Sequence, residues 1–339
     1  MTDFLAAVVP LVSLSDGPLL GLPLRHVWYV VLFFLLGMFL LLDGFDFGIG
    51  ALFLLRDDEE RETMLAAVGP FWDGNEVWLI VFGGAMFAAF PPVYANLFSR
   101  HYLLMFAILG ALILRGIAPE MYEQRHDETW QRYWGLAFSI GSILAPFFLG
   151  VFAGNWLLGS AGSMTLGGVV VGLALVALTV VDGAAFLAMK TRGQLQADAT
   201  DYGTYALVAY LTLVVVALGY ILATQPSLAD ALLTVPGLGL VVATVALAAG
   251  YVWAMRAERR HVAFVTVAGL VFGLVTLVAW LMYPLVDPAT GLTFDAAIVS
   301  ALPLNLMTIV VGILLPVVLV YFGVLYSVFS GPIEAGEGY

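Results

Sequence analysis

Apolar residues run through this 339-residue chain in long stretches, not at the spacing of helices with one wet face. A helix needs about 20 apolar residues to cross a bilayer. Nine stretches are long enough: 27–55, 64–90, 94–118, 134–158, 164–189, 203–223, 236–256, 262–284 and 302–329. None alternates apolar and polar in the manner of a barrel strand. The pattern predicts an all-α, polytopic membrane protein forming one membrane domain over 1–339. The first stretch, at ~29 residues and ~43 Å, should tilt or protrude. Residues 4–12 are apolar but too short to span, and are expected to form an interfacial segment or an arm against a partner.

The polar positions between the stretches set an orientation. With nine spans, the odd-numbered loops share a face and carry Arg56, Arg61, Arg125, Arg132, Lys190, Arg192, Arg256, Arg259 and Arg260, with Arg115 near them at the end of the third span. The other face holds Arg25 and Arg100. Basic loops stay in the cytoplasm, so the N-terminus is expected outside and the C-terminal "GPIEAGEGY" inside. The stretch "LLDGFDF" at 41–47 resembles "VVDGAAF" at 180–186, with Asp43, Gly44 and Phe47 aligned on Asp182, Gly183 and Phe186. The two lie on helices four apart that run in one direction. A parallel duplication is therefore expected, with four-helix repeats at 27–158 and 164–284 and a ninth helix at 302–329.

Composition supports the membrane reading: 62% of residues are hydrophobic and 11% charged, outside the range of a soluble domain. There is no cysteine, which excludes disulfides, thiolate metal sites and iron–sulfur clusters held by this chain. The net charge of −12 argues against nucleic acid as a partner. The acidic loop "RDDEERE" at 56–62 reads as a solvated, self-repelling segment, and the single lysine is compatible with a halophile surface. "MTDFLAAVVP" lacks the basic start of a signal peptide, so the first span is expected to direct insertion.

The chemistry lies where acids interrupt the apolar runs. Asp43 and Asp46 stand in the first stretch, and Asp73 and Glu76 in the second. With the helices ending near 55 and starting near 64, Asp46 and Asp73 each fall about nine residues, or ~13 Å, from the same face. Asp43 is three residues from Asp46, and Glu76 three from Asp73, so each pair lines one helix face. Asp182 is expected at similar depth. A carboxylate within a span costs roughly 2.5–3.5 kcal/mol even on the permissive insertion scale. Four in one hairpin suit proton relay or ion passage; the competing structural reading is a set of acids paired with Arg115 that fixes packing. The nearby Gly44, Gly48, Gly50, Gly74, Gly83 and Gly84 are expected to allow close helix approach. Of the four histidines, His26 and His101 sit at outward helix ends, and His126 and His261 in or beside cytoplasmic loops. Met38, Met86, Met105 and Met307 read as core filler. No metal-site spacing, nucleophile elbow or phosphate loop appears.

At these residues the sequence resembles subunit II of the cytochrome bd-type quinol oxidases. The matching elements are "LDGFDFG" 42–48, "GPFWDGNEVWL" 69–79, "GGAMFAAFPPVYA" 83–95, "LILRG" 112–116, "GSILAPFFLGVFAGN" 141–155, "MYPL" 282–285 and "LNLMTIVVGILLPVVLVY" 304–321. The resemblance implies two four-helix bundles plus one peripheral helix. It implies an electrogenic complex of the prokaryotic plasma membrane that oxidises quinol and reduces O2 to water with cytoplasmic protons. Haem b and haem d, or b haems alone in some variants, would be ligated mainly by the partner, subunit I. Small single-span accessory subunits occur in the family, and some members hold a structural quinone in subunit II. Asp46 and Asp73 match the family's functional acids, Trp72 and Asn75 its flanking motif positions, and Arg115 an arginine of the third helix. The implied roles are proton relay for Asp46, Asp73, Glu76 and Asp43, and support of a water chain or haem pocket for Trp72, Asn75 and Arg115. The alternative is an ion-coupled secondary transporter, which would be colourless and self-sufficient when purified.

Overall fold

The computed structural model describes residues 14–15 and 17–333, so the segment 4–12 and the tail 334–339 lie outside the described residues. The chain forms α1 (Leu24–Leu52), α2 (Asp58–Val68), α3 (Trp72–Ala89), α4 (Pro91–Arg100), α5 (Tyr102–Glu123), α6 (Glu128–Leu157) and α7 (Leu166–Lys190). It continues through α8 (Gly193–Thr224), α9 (Pro226–Leu232), α10 (Val235–Arg256) and α11 (Arg260–Met282). A hairpin of β1 (Leu285–Asp287) and β2 (Leu292–Thr293) leads to α12 (Phe294–Ala297) and α13 (Ala301–Val328). The strands are antiparallel, with Leu285 opposite Thr293 and Asp287 opposite Leu292. Among the described residues, eight helices are long and apolar enough to cross a membrane, or nine if α3 and α4 count as one span bent by 120°.

Two interruptions depart from the hydropathy pattern. The run expected at 64–90 is broken at Gly69–Phe71, so the span begins at Trp72 and α2 is a separate helix capped by the Asp57 carboxylate, which accepts from the Glu60 N–H. Pro70 lacks the N–H that a continuous helix would use there. The run expected at 94–118 is divided as well, at His101 (φ −110°, ψ 31°), and a sharp bend precedes it. Phe90 adopts φ −129° and ψ 59° before Pro91 and Pro92, and α4 turns away before α5 starts at Tyr102. A residue preceding proline is pushed out of the helical region, which a hydropathy window does not register.

The core forms around α1, which packs against α3, α6, α7 and α11. At its crossing with α7 the two resembling motifs meet. A Cβ on Gly48 would overlap the Thr179 carbonyl oxygen, and one on Gly183 would come within 2.6 Å of the Gly48 backbone. Phe45 and Phe186 stack there at 4.1 Å. Gly44 lies against the Asp182 carboxyl and Gly50 against Ser142. The expectation of close approach fails for the other three glycines: Gly74 has ordinary contact with Phe322, and a Cβ at Gly83 or Gly84 would meet nothing within 4 Å. These three face the gaps that flank α3.

One end of the molecule is closed by the hairpin. Arg100 grips Asp287 with both guanidinium nitrogens, at 3.0 and 3.1 Å, and Thr290 and Asn96 donate to the same carboxylate. Burial pushes the Asp287 carboxyl up, but these donors outweigh it and hold the group below the usual carboxylate range. The indole of Trp156 donates to Val286 O at 2.8 Å, and the Val299 N–H donates to Ala89 O at 3.0 Å.

Two outcomes are expected from this packing. Gly48→Ala should lower stability by about 1–3 kcal/mol through overpacking, whereas Gly83→Ala should be silent; thermal unfolding of the purified protein compares them. Because the folded Asp287 carboxyl is depressed, its stabilisation is complete above its unfolded value near pH 4 and lost as pH falls below it. Melting between pH 5 and pH 3 should therefore fall more steeply for the native chain than for Asp287→Asn. Parallel curves would dismiss the ion pair as a source of stability.

Candidate functional site: a guanidinium among buried carboxyls

Asp43 and Asp46 are one helical turn apart on α1, and both are buried. They face Arg115 of α5, whose side chain is 1% exposed. The backbone of α6 positions this arginine: a Cβ on Gly141 would stand 2.6 Å from the Arg115 nitrogen, so only glycine lets α6 press this close. Arg115 Nη2 lies 2.8 Å from Asp43 Oδ1 and 3.5 Å from Asp46 Oδ2, and Nη1 lies 3.7 Å from Glu76 Oε2 of α3. The guanidinium also sits over the rings of Phe47, at 4.9 Å, and Trp72, at 5.9 Å. Three carboxyls thus share one cation. Glu76 alone of the three reaches the surface, with its side chain 38% exposed.

Asn75, fully buried on α3, donates from Nδ2 to Asp46 Oδ2 at 3.0 Å and accepts at Oδ1 from the Tyr326 hydroxyl at 2.9 Å. The expected level pairing of Asp46 with Asp73 is not what the helices produce. Because α3 starts at Trp72, Asp73 falls in its first turn and is exposed, while Asn75 takes the place opposite Asp46. Asp73 lines a cleft of about 490 Å³ together with Glu62, Trp72, Glu120, Glu123 and His126. Trp72 belongs to both places, forming cleft wall and covering Arg115. The geometry therefore brings Asp43, Asp46, Glu76, Asn75, Trp72 and Arg115 together, with Asp73 one turn away from Glu76 at the cleft.

Asp182 of α7 is buried against Gly44, and its two oxygens have no protein hydrogen-bond partner among the described residues. Two further participants escaped the sequence reading. Tyr326 reaches Asn75 from α13, and Lys190 donates to the carbonyl oxygens of Phe329 and Gly331 at the end of that helix. The signals were present: Lys190 is the only lysine, and Phe322, Tyr326 and Phe329 recur at helical spacing at the end of a largely apolar helix.

Fold and site together define a polytopic membrane protein built around a largely buried ionic cluster. Comparison with known proteins makes this specific: the family described as cytochrome bd terminal oxidase subunit II matches residues 24–329, and the chain belongs to that family. It is 31% identical over 356 aligned residues to the cytochrome bd-I ubiquinol oxidase subunit 2 of Escherichia coli strain K12, covering 88% of this chain and 92% of that protein. It is 40% identical over 130 residues to the cytochrome bd ubiquinol oxidase subunit 2 of Bacillus subtilis strain 168, 38% of each chain. A chain in the structure of bd oxidase from Geobacillus thermodenitrificans shares the fold, with a TM-score of 0.75 over 91% of this chain and 99% of that one at 17% identity. These matches do not favour the transporter alternative.

The family name implies haem, and the histidines of this chain do not fit an axial set for it. His26, His126 and His261 are exposed, and His101 is buried between α4 and α5 with its ring packed edge-on to Phe152. Axial ligation needs donors projecting into a bundle.

Arg115→Leu should leave Asp43 and Asp46 buried without their cation. Removing one partner of a buried pair costs about 3–5 kcal/mol. The variant should melt earlier and be recovered in lower yield than Arg115→Lys, which keeps the charge. Equal melting of the native and Leu forms would show that the ion pairs do not hold the helices.

Proposed function

We propose that this chain is the companion subunit of a quinol:O2 oxidoreductase complex of the prokaryotic plasma membrane, and that its ionic cluster passes cytoplasmic protons towards a haem-bearing subunit I. The quinol substrate is supported by the names of the relatives, which are ubiquinol oxidases. The haems, b with d or b alone, supply the oxygen chemistry from the partner. The basic loops support a cytoplasmic cleft, an outer N-terminus and an inner C-terminus. The α1–α7 motif crossing supports two four-helix units at 27–158 and 164–284, with the helix at 302–329 peripheral.

The observation that carries the relay is the charge balance of a sealed site with one open edge. One guanidinium faces three carboxyls, so full ionisation would leave uncompensated charge in a low-dielectric interior, a situation relieved by holding a proton. The arrangement has an inlet and an outlet. Asp73 takes protons at the cleft and hands them to Glu76, one turn along α3, which shares the Arg115 cation with Asp46 and Asp43; the guanidinium stays protonated, and the proton is held by the carboxyls. Glu76 is also the outlet, because its exposed edge continues into the stripe of Val77, Ile80 and Phe87, apolar and exposed in the single chain. A membrane partner would cover such a stripe. Arg115 keeps the carboxyls converged, and Trp72 separates cleft water from the cluster.

In the assembled complex at normal haem content, Asp73→Asn and Glu76→Gln should each slow quinol oxidase turnover by about 100-fold or more, the range for loss of a positioned proton-transfer group. Asp46→Asn should slow turnover and lower haem retention. Unchanged turnover in all three would reject the relay.

A further inference from the structure

The hydrogen bonds of Asn75 lead out of the cluster to the last helix. Among the described residues α13 is held mainly at its two ends. Near its start, Asn305 donates to the carbonyl oxygens of Leu14 and Gly17, and the Trp28 indole donates to Thr308. Near its finish, Tyr326 stacks on Phe71 at 4.5 Å and 24°. Lys190 holds the helix end through the Phe329 and Gly331 carbonyl oxygens, and the Ile333 N–H donates to the Lys190 carbonyl oxygen at 2.9 Å. The Lys190 ammonium lies over Phe71 at 5.2 Å and over Phe186 at 5.8 Å. Between the two ends runs an apolar cavity of about 720 Å³. The fastening near Tyr326 is thus concentrated beside the cluster.

A primary amide presents an acceptor at one end and donors at the other. With its oxygen accepting from the Tyr326 hydroxyl at 2.9 Å, Asn75 presents its NH2 to Asp46, where it donates at 3.0 Å; turned round, the amide would take this acceptor away from the hydroxyl proton. A donor aimed at a carboxyl favours its charged form. Without the hydroxyl, the amide is free to rotate and offer its oxygen, which is satisfied by a protonated acid. Asp46 touches two polar groups, Asn75 and Arg115, and shares the Arg115 cation with the carboxyls of Asp43 and Glu76. Asp182 stands across Gly44 on α7. Of these, the amide is the one that hydrogen-bonds to the last helix.

We propose that Tyr326 is a positioning residue of the proton path: its hydroxyl locks the Asn75 amide so that Asp46 is held ready to accept a proton. The inference rests on the relay reading above and extends it to a helix that, among the described residues, makes no hydrogen bond or ion pair with Arg115 or a carboxyl of the cluster.

The test measures quinol oxidase turnover against pH in the purified, haem-loaded complex. Tyr326→Phe keeps the ring stacked on Phe71 and removes only the hydroxyl. The acid limb of its profile should move to higher pH by about half a unit to one unit, a roughly 3- to 10-fold change in proton concentration, with turnover on the alkaline side retained. Asn75→Leu should shift the limb at least as far, and the double variant no further than Asn75→Leu alone, because the hydroxyl acts only through the amide. An unshifted limb in Tyr326→Phe overturns the proposal, as does a double variant whose shift is the sum of the two. Should Tyr326→Phe assemble poorly, infrared difference spectra of the complex that does form decide the question independently. The carboxyl band absent from Asp46→Asn should persist to higher pH in Tyr326→Phe, and an unmoved band counts against the inference. Normal turnover in Asp73→Asn, Glu76→Gln and Asp46→Asn sinks the relay itself, whereas slowed turnover there with a normal Tyr326→Phe profile sinks only the positioning role.

Discussion

A guanidinium enclosed by helices must find counter-charge, and Arg115 dictates where the elements of this protein can stand. Its side chain emerges from α5, where α6 presses close at Gly141, and its partners come from α1 and α3. Any rearrangement that separated these helices would expose a charge to lipid or leave it unpaired, at several kcal/mol. The ionic cluster therefore works as a geometric constraint as well as a chemical site. The apolar core alone would not fix the rotation of α1 so tightly, since this helix is hydrophobic on every side and lacks a preferred polar face. Asp43 and Asp46, both on the Arg115 side, supply that direction.

The same constraint explains why a relay and a scaffold need not be rivals here. A buried ion pair contributes little net stability when assembled, yet its loss is costly. Residues held for that reason are also preorganised: Asp46 meets a cation and an amide donor without any movement of the backbone. What separates a relay from a salt bridge is excess carboxyl capacity and a route to water. Here there are three acids to one base, an exposed Glu76, and a cleft one turn away across Trp72. On the proposed reading, that open edge is where protons enter and leave.

How much of this could be read from the chain follows from which interactions are local. Runs of apolar residues reveal spans, and the spacing of Asp43 and Asp46 along α1 places both on one face, so that part was legible. The level of Asp73 was not, because it depends on where α3 begins. Gly69–Phe71 restart the helix, yet Pro70 within an apolar run reads in a hydropathy window as one residue among many. Phe90–Pro91 hid the 120° bend for the same reason. The pairing of Asp46 with Asn75, and of Asn75 with Tyr326, joins residues 29 and 251 positions apart. No periodicity along one helix encodes which side of a distant helix it will face. Composition did mark Lys190 as exceptional, but its role emerges only once α13 ends beside it.

The peripheral position of α13 makes its link to the interior informative. A helix that leaves a cavity of about 720 Å³ along its middle is not there to complete the core. Its end is nevertheless secured by a lysine bonded to carbonyl oxygens, an ammonium over two aromatic rings, and a tyrosine stacked on a third-helix cap. Burying the only lysine of the chain to hold one helix end carries a desolvation cost, and apolar residues could have packed there without it. That cost is intelligible if the position of Tyr326 matters to a tolerance set by hydrogen bonding, a few tenths of an ångström, and not by van der Waals contact alone. Asn75 converts that tolerance into a choice between two amide orientations, and Asp46 responds to the choice. The last helix thus bears on the protonation of the first through two hydrogen bonds, both within the range of well-formed ones.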